Sequence, residues 1–136
     1  MAKTKYNKLS MPLKDVKDKE FLARRLNCEG VGFGMVRIKP GRGAEYLHQH
    51  RVQEEVFMTL KGEGTIILDG RRIAMPEGTV IRVAPEVKRA VGNESKRDVV
   101  FLIMGGIPPK SFPLGGRTLF GDGIPHRDKV PSWSKS

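Results

Sequence analysis

Residues 40–64 read PGRGAEYLHQHRVQEEVFMTLKGEG, and this stretch decides the fold class. His48 and His50 are separated by one residue within a strand-like run. Side chains of a β-strand alternate between the two faces of a sheet, so both imidazoles are predicted to project from the same face. Glu55 begins the next run, and Glu54 beside it is predicted to face the opposite way. Two imidazoles and one carboxylate on one side of a sheet suit a divalent transition metal.

Short strand-like runs separated by glycine or proline continue on both sides of this stretch. Asp69-Gly70 predicts a hairpin turn, because both residues tolerate a positive φ. Turn signals every 8–12 residues, with no helix-length periodic segment between them, favour an all-β sandwich or barrel. The barrel interior is predicted to include Phe33, Met35, Phe57, Thr59 and Met104. Eight strands are predicted, at residues 31–39, 45–50, 55–60, 64–68, 71–75, 79–83, 88–91 and 99–104.

The stretch from residue 40 resembles the first signature of the cupin superfamily, PG-x5-H-x-H-x3–4-E-x6-G. Both histidines, Glu55 and Gly62 match it, and one additional residue precedes His48. The second signature, G-x5-P-x-G-x2-H-x3-N, is degenerate in residues 78–93, which read GTVIRVAPEVKRAVGN. These residues lack the second glycine, and Arg89 stands where the family has its third histidine.

The resemblance implies a double-stranded β-helix, or jelly-roll, barrel that pairs into homodimers and has a small-molecule pocket at its open end. It implies no single activity, because this fold hosts oxygenases, isomerases, decarboxylases, storage proteins and sensing domains. The expected site is built on the metal-ligand candidates His48, His50 and Glu55, with Arg89 beside them. The catalytic residues and the substrate are left open by the sequence.

Arg89 leaves two alternatives open, because a guanidinium has no lone pair to give a metal. In the first, the two histidines and Glu55 bind Fe, Mn, Ni, Co or Zn with open positions, and Arg89 anchors a carboxylate or phosphate of the substrate. That arrangement predicts a metal-dependent oxygenase or isomerase acting on a small anionic molecule. In the second, no metal binds and Arg89 pairs with Glu55. The protein is then a metal-free binding or sensing cupin.

Two further residues are candidates for the same site. Tyr46 shares the strand parity of His48 and His50 and is predicted to contact the substrate. His126 lies in a Gly/Pro-rich arm and would complete the site if that arm folds back, although a surface position is the expectation.

The net charge of +10 is concentrated at the two ends of the chain. Residues 1–25 hold 8 Lys/Arg against 3 Asp/Glu, residues 26–105 hold 12 against 10, and residues 106–136 hold 5 against 2. A nucleic-acid-binding domain concentrates basic residues on its folded surface, so this distribution argues against nucleic acid as a partner. We expect a basic N-terminal segment (1–25), a cupin-like β-barrel (26–105) and a Gly/Pro-rich C-terminal arm (106–136).

Composition bounds the protein class. No apolar run approaches the roughly 20 residues that a membrane helix needs, and the first residues lack the apolar stretch of a signal peptide. Cys28 is the only cysteine, so an internal disulfide is excluded. A cytoplasmic homodimer that binds a small molecule is the expectation.

Overall fold

Two antiparallel sheets face each other across the hydrophobic core. The computed structural model describes residues 5–106 and 123–134. The strands in this part of the chain are β1 (Lys19–Glu20), β2 (Val31–Ile38), β3 (Arg42–Gly43), β4 (Leu47–His50), β5 (Glu55–Lys61), β6 (Glu63–Leu68), β7 (Arg71–Pro76), β8 (Val80–Val83), β9 (Arg89–Asn93), β10 (Val99–Gly106) and β11 (Gly123–His126). The helical elements are α1 (Leu22–Arg25) and two 3-10 turns, Leu13–Asp15 and Ser132–Ser134.

The strand order is that of a jelly-roll barrel. One sheet has the order β1-β2-β10-β5-β8, and the other has the order β11-β4-β9-β6-β7, with β3 paired to β9. The predicted all-β double-stranded β-helix is therefore confirmed. All eight predicted strands are present, as β2 and β4 to β10. The predicted Asp69-Gly70 turn is also confirmed, with φ values of 47° and 81°.

The core lies between the sheets and follows strand alternation. Phe57 and Thr59 point inward from β5, as predicted, and Phe101 opposes Thr59 from β10. The Thr59 hydroxyl donates to the Met75 carbonyl at 2.9 Å, so this buried polar group is satisfied. The buried apolar members of the core are Ile38, Phe57, Ile66, Met75, Val83, Val99 and Phe101.

The prediction that Phe33, Met35 and Met104 line the interior is wrong. Val36 and Ile38 contribute to the core from β2, and side chains alternate along a strand, so Phe33 and Met35 point outward. Met104 is directly opposite Phe33 and shares its outer face. Apolar alternation alone marks two faces of a strand, and here both faces are apolar.

The described parts of the terminal segments pack onto the barrel. Val16 and Leu22 have 0% and 3% exposure, and Arg37 donates to the carbonyls of Leu13 and Val16. α1 has only four residues, because Lys19–Glu20 before it pairs with β2 as an edge strand. Residues 123–134 of the predicted C-terminal arm lie on the second sheet. Residues 107–122 of that arm are outside the described part of the chain.

Candidate metal centre

Neighbouring ends of two strands, one in each sheet, bring the sequence-predicted donors together. His48 and His50 lie on β4, and Glu55 is the first residue of β5. The two imidazole rings meet edge to face, with centroids 5.1 Å apart and planes at 74°. Alternation along β4 therefore places both rings on one face of the strand, as the spacing predicted.

The donor nitrogens of both histidines face one carboxylate oxygen of Glu55. Glu55 Oε1 lies 3.1 Å from His50 Nε2 and 4.0 Å from His48 Nε2. Each of the three residues offers one ligand atom, and these three atoms all lie within 4.8 Å of one another. The side chains of His50, Glu55 and His48 are 1%, 12% and 29% exposed, so the cluster is sheltered but reachable from solvent at His48.

The geometry of this cluster fits a divalent metal. Two atoms that each lie about 2.1 Å from a metal are about 3.0 Å apart at a right angle and about 3.4 Å apart at a tetrahedral angle. The 3.1 Å between His50 and Glu55 meets this condition, whereas the 4.0 Å from His48 requires a small inward rotation of that ring. Glu55 Oε1 is buried and accepts no hydrogen bond from the described residues, which is costly unless a cation satisfies it.

Arg89 closes one side of the cluster. It lies on β9 directly opposite His48, and its side chain is 0% exposed. Its Nε is 3.4 Å from Glu55 Oε1, the same oxygen that both histidines face. Its terminal nitrogens donate to the carbonyls of residues 83–85, at 3.4 Å to Val83, 2.9 Å to Ala84 and 3.1 Å to Pro85. The guanidinium is thus held between the β8–β9 connection and Glu55. Its expected role as substrate anchor stays a prediction.

Three other residues from the sequence analysis occupy different positions. Tyr46 is half-buried in the bend before β4, where the Arg127 guanidinium lies 5.8 Å from its ring centroid, and its contact with substrate stays a prediction. His126 pairs with Leu47, so it lies on the face of β4 opposite the metal-ligand candidates and does not complete the cluster. Glu54 is exposed and pairs with Arg82 at 2.7 Å.

Sequence reasoning missed the residues that hold β4 in place. The Gln49 side chain donates to the Glu86 carbonyl at 3.0 Å and contacts His126 Nε2 at 2.5 Å. Trp133 lies against β3 and β9 and packs with Leu47. The only signal in the sequence was the single tryptophan, because these contacts join residues at least 37 positions apart.

A surface groove lies on the outer face of the six-stranded sheet. It is lined by Leu47, Ile67 and Val130 together with charged residues that include Lys88 and Lys129. None of the three donor residues contributes to it, so the groove is separate from the cluster. Within the described residues, no helix has the length and apolar character that crossing a membrane demands.

Comparison with known proteins agrees with this architecture. A cupin protein from Bacteroides fragilis is 28% identical, with 87% of this chain and 95% of that chain covered and a TM-score of 0.69. A sugar phosphate isomerase of the cupin superfamily from Silicibacter pomeroyi is 18% identical over 74% of this chain and 77% of that chain, with a TM-score of 0.63. The Cupin_2 domain of an XRE family transcriptional regulator from Enterobacter cloacae is 23% identical over 57% and 82% respectively, with a TM-score of 0.53.

The last two likenesses concern the fold alone. Among curated proteins, none matches this sequence. The sequence profile of the cupin domain, however, matches residues 34–105, which is more than half of the chain and includes all four residues of the cluster. The chain therefore belongs to the cupin domain family.

Proposed function

We propose that this cupin binds a divalent metal ion, one of Fe, Mn, Ni, Co or Zn, through His48, His50 and Glu55. The observation that carries the proposal is the buried Glu55 Oε1, which faces both Nε2 atoms and accepts no hydrogen bond from the described residues. A borderline divalent ion prefers imidazole and carboxylate ligands of this kind.

The proposed reaction is an oxygenation or an isomerisation of a small anionic molecule. A bound divalent ion with open positions would supply Lewis-acid or redox chemistry there. Arg89 adds a fixed positive charge 3.4 Å from Glu55, so the occupied site would be cationic overall and would attract an anionic group. The sugar phosphate isomerase from Silicibacter pomeroyi, which has the same fold, by its name acts on such an anion.

The proposal gives Arg89 and His50 distinct tasks. The terminal nitrogens of Arg89 donate to backbone carbonyls and hold the guanidinium beside Glu55, where we propose that its charge attracts the anionic group of the substrate. His50 is the most buried ligand and holds the inner side of the centre, while the more exposed His48 faces the solvent side. Tyr46 is proposed to contact the substrate from the bend before β4.

The test compares two adjacent carboxylates. Glu55→Gln removes the charged ligand, and we expect metal affinity in calorimetric titration with Mn²⁺, Co²⁺ and Zn²⁺ to fall by at least about 100-fold. Loss of a direct ligand should exceed the roughly 10–100-fold loss that is typical of residues that only hydrogen-bond to the ligands. Glu54→Gln is the matched control, because this side chain is 56% exposed and pairs only with Arg82 among the described residues. It should bind metal as the unaltered protein does.

Elemental analysis of the purified protein is a second test of metal binding. About one equivalent of metal per chain, lost in a His50→Ala variant and kept in the Glu54→Gln variant, would support the centre. A metal-dependent reaction that consumes O₂ would then identify an oxygenase, and one that conserves substrate mass would identify an isomerase. Equal binding by the Glu55→Gln and Glu54→Gln proteins would contradict the proposal.

A metal-free binding or sensing function is the second candidate, favoured by one observation. Arg89 Nε lies 3.4 Å from Glu55 Oε1 in a site where the arginine is fully buried, so the guanidinium can serve as the cation that Glu55 needs. If no divalent ion binds even at millimolar concentration, this candidate replaces the first. Thermal stabilisation by small carboxylates or phosphates, without turnover, would then support it.

We further propose that the protein is a cytoplasmic homodimer that pairs through the outer face of the five-stranded sheet. Leu102, at the centre of this face, is directly opposite Met35 on one side and Met58 on the other. None of the residues of this face belongs to the buried core. The face is half-buried or exposed and consists of Phe33, Met35, Val56, Met58, Val80, Leu102 and Met104.

A second copy of the chain is the occupant that this face fits. Its four strands span about 19 Å at the usual spacing, and the centre of the face carries no charge. Charged pairs lie at its margins, Arg82 with Glu54 on one side and Arg37 with Asp98 on the other. An apolar centre with a polar rim is the composition of a protein interface, and a flat face can pair with itself about a twofold axis. The single cysteine, Cys28, supports the cytoplasmic location.

A further inference from the structure

The strand that carries both histidines has little support from the barrel itself. Its sheet pairing with β9 is limited to one residue pair, His48 with Arg89. On its other side, all four residues of β4 pair with β11, with Gly123 opposite His50 and Pro125 opposite His48. Proline is tolerated there because β11 is the edge strand of the sheet. The backbone of β4 is therefore fixed largely by a segment far along the chain.

This segment, residues 123–134, is fastened to the sheet at Trp133, and we refer to it as the C-terminal strap. The Trp133 indole N–H donates to the Ala44 carbonyl at 2.9 Å, and the residue is 7% exposed. It packs with Leu47, the residue of β4 that precedes His48. The Leu47 amide also donates to the Lys129 carbonyl at 2.9 Å, so the strap holds β4 at two places beyond the β11 pairing.

A pair of glycines makes room for the tryptophan. Gly43 on β3 is directly opposite Gly92 on β9. A Cβ at Gly43 would lie 2.4 Å from the indole nitrogen, and a Cβ at Gly92 would lie 2.5 Å from the indole ring. Real Cβ atoms do not approach other atoms so closely, so any larger residue at either position would displace Trp133. The two glycines therefore leave a notch in the sheet surface, and the flat indole ring packs directly against their backbone.

We propose that docking of the C-terminal strap through Trp133 sets the affinity of the metal centre, with Trp133 acting as a positioning residue. The proposal rests on the proposed metal-binding function. Leu47 and the two histidines belong to one four-residue strand, so a contact that fixes Leu47 on one face also fixes the imidazoles on the other. With the strap undocked, β4 keeps one sheet pair and the loop contacts of Gln49 and His50, and the three ligands lose their common geometry.

The test displaces Trp133 from both sides of the contact. Trp133→Ala removes the ring, and Gly92→Ala fills the notch while the strap stays intact. We expect each variant to bind Co²⁺ at least tenfold more weakly at a temperature well below unfolding, with an altered visible absorption spectrum of the bound ion. The double variant should be no weaker than either single variant, because both changes break one contact. Tyr6→Ala, which removes an aromatic ring that is 87% exposed and lies outside the strap, is the control and should behave as the unaltered protein.

A role confined to overall stability would give a different result. Both variants would then melt at a lower temperature but would bind Co²⁺ with unchanged affinity and spectrum, and the proposal would be overturned. The tenfold loss with an unchanged Tyr6→Ala control would support it.

Hydrogen exchange separates failure of the strap from failure of the metal site. The His50 amide donates to the Pro85 carbonyl at 2.8 Å, a bond that does not involve the strap. Faster exchange at His50 in the Trp133→Ala protein, with unchanged exchange at Thr59 in the core, would show that β4 has loosened. Unchanged exchange at His50 would overturn the strap proposal even if the metal affinity of the variant fell. If the unaltered protein binds no metal, the affinity proposal falls together with the proposed function.

Discussion

Arg89 determines the charge of the candidate centre. It is opposite His48 in the sheet register, fully buried, and 3.4 Å from the carboxylate oxygen that both histidines face. A cation at this position competes with a metal for the same oxygen. The related cupin signature has a histidine at this place, which would add a ligand instead of a charge.

Replacing the arginine with histidine should therefore strengthen metal binding. We expect Arg89→His to raise the affinity for Zn²⁺ or Co²⁺ by at least about tenfold, because the change removes a buried positive charge and supplies an imidazole. Calorimetric titration measures the affinity. The melting temperature should fall, since the bonds to the carbonyls of residues 83–85 are lost.

Arg89→Gln separates the two effects of that change, because it removes the charge without adding a ligand. Its affinity should lie between those of the unaltered and the Arg89→His proteins. If the histidine variant binds metal no better than the glutamine variant, the position does not reach the centre as a ligand.

At this scale the sequence was informative where strand parity applies. The spacing of His48 and His50 requires a common face, and their approach to Glu55 agrees with it. The alternation of side chains does not apply to Tyr46, because β4 begins one residue later, at Leu47. Nor does strand parity predict where the end of the Arg89 side chain lies, because its terminal nitrogens donate to three carbonyls that only the folded backbone brings together.

Among the elements, the end of β9 is the junction on which several others depend. Asn93 is 0% exposed and donates from Nδ2 to the carbonyl of Ile38 at the end of β2, at 2.9 Å, and to that of Arg97 at 2.6 Å. Its Oδ1 accepts from the Ser95 amide at 2.9 Å. One amide side chain thus connects β2, β9 and the turn before β10.

Removing that amide should destabilise the fold without touching the centre. We expect Asn93→Ala to lower the free energy of unfolding by about 2–4 kcal/mol, because the buried Ile38 carbonyl and the partly buried Arg97 carbonyl each lose a donor. Denaturant titration measures this change. Ser95→Ala, which removes only a neighbouring hydroxyl, should cost about 1 kcal/mol or less. A loss for Asn93→Ala no larger than that for Ser95→Ala would contradict the assignment.

The sequence predicted which segments form strands, but it did not in general predict which strands pair with each other. The β6–β7 hairpin was predictable because the Asp69-Gly70 turn fixes its register locally. β11 contains Pro125 and gave no strand signal of its own. It becomes a strand only because the open edge of β4 offers it a partner.

The whole molecule presents two sheet faces to its surroundings, and they are covered differently. The strap lies on the outer face of the six-stranded sheet. The outer face of the five-stranded sheet is apolar. Alternation along β2 correctly grouped Phe33 and Met35 on one side of that strand, but the sequence analysis assigned this side to the barrel interior. Both faces of that strand are apolar, so the sequence could not tell which one the barrel encloses.

Pairing of two chains through this surface should be sensitive to one central charge. Leu102→Lys places a cation between Met35 and Met58, so we expect light scattering to show a shift from dimer to monomer at micromolar concentration, because burying an unpaired charge is prohibitive. Val130→Lys, an equally apolar-to-basic change at a 38% exposed position on the other side, should leave the dimer intact. A monomeric unaltered protein would refute the dimer.

The pairing of β4 with β11 also bears on when the centre can form during synthesis. Residues 47–50 leave the ribosome more than 70 residues before residues 123–126, their main partners in the sheet. Contacts between such distant segments form late, after the intervening chain has been made. A nascent barrel would therefore carry its histidines on a poorly supported edge. Loading with metal would follow the pairing of β11 with β4, so the ion acquired would depend on the pool that the chain meets at that stage.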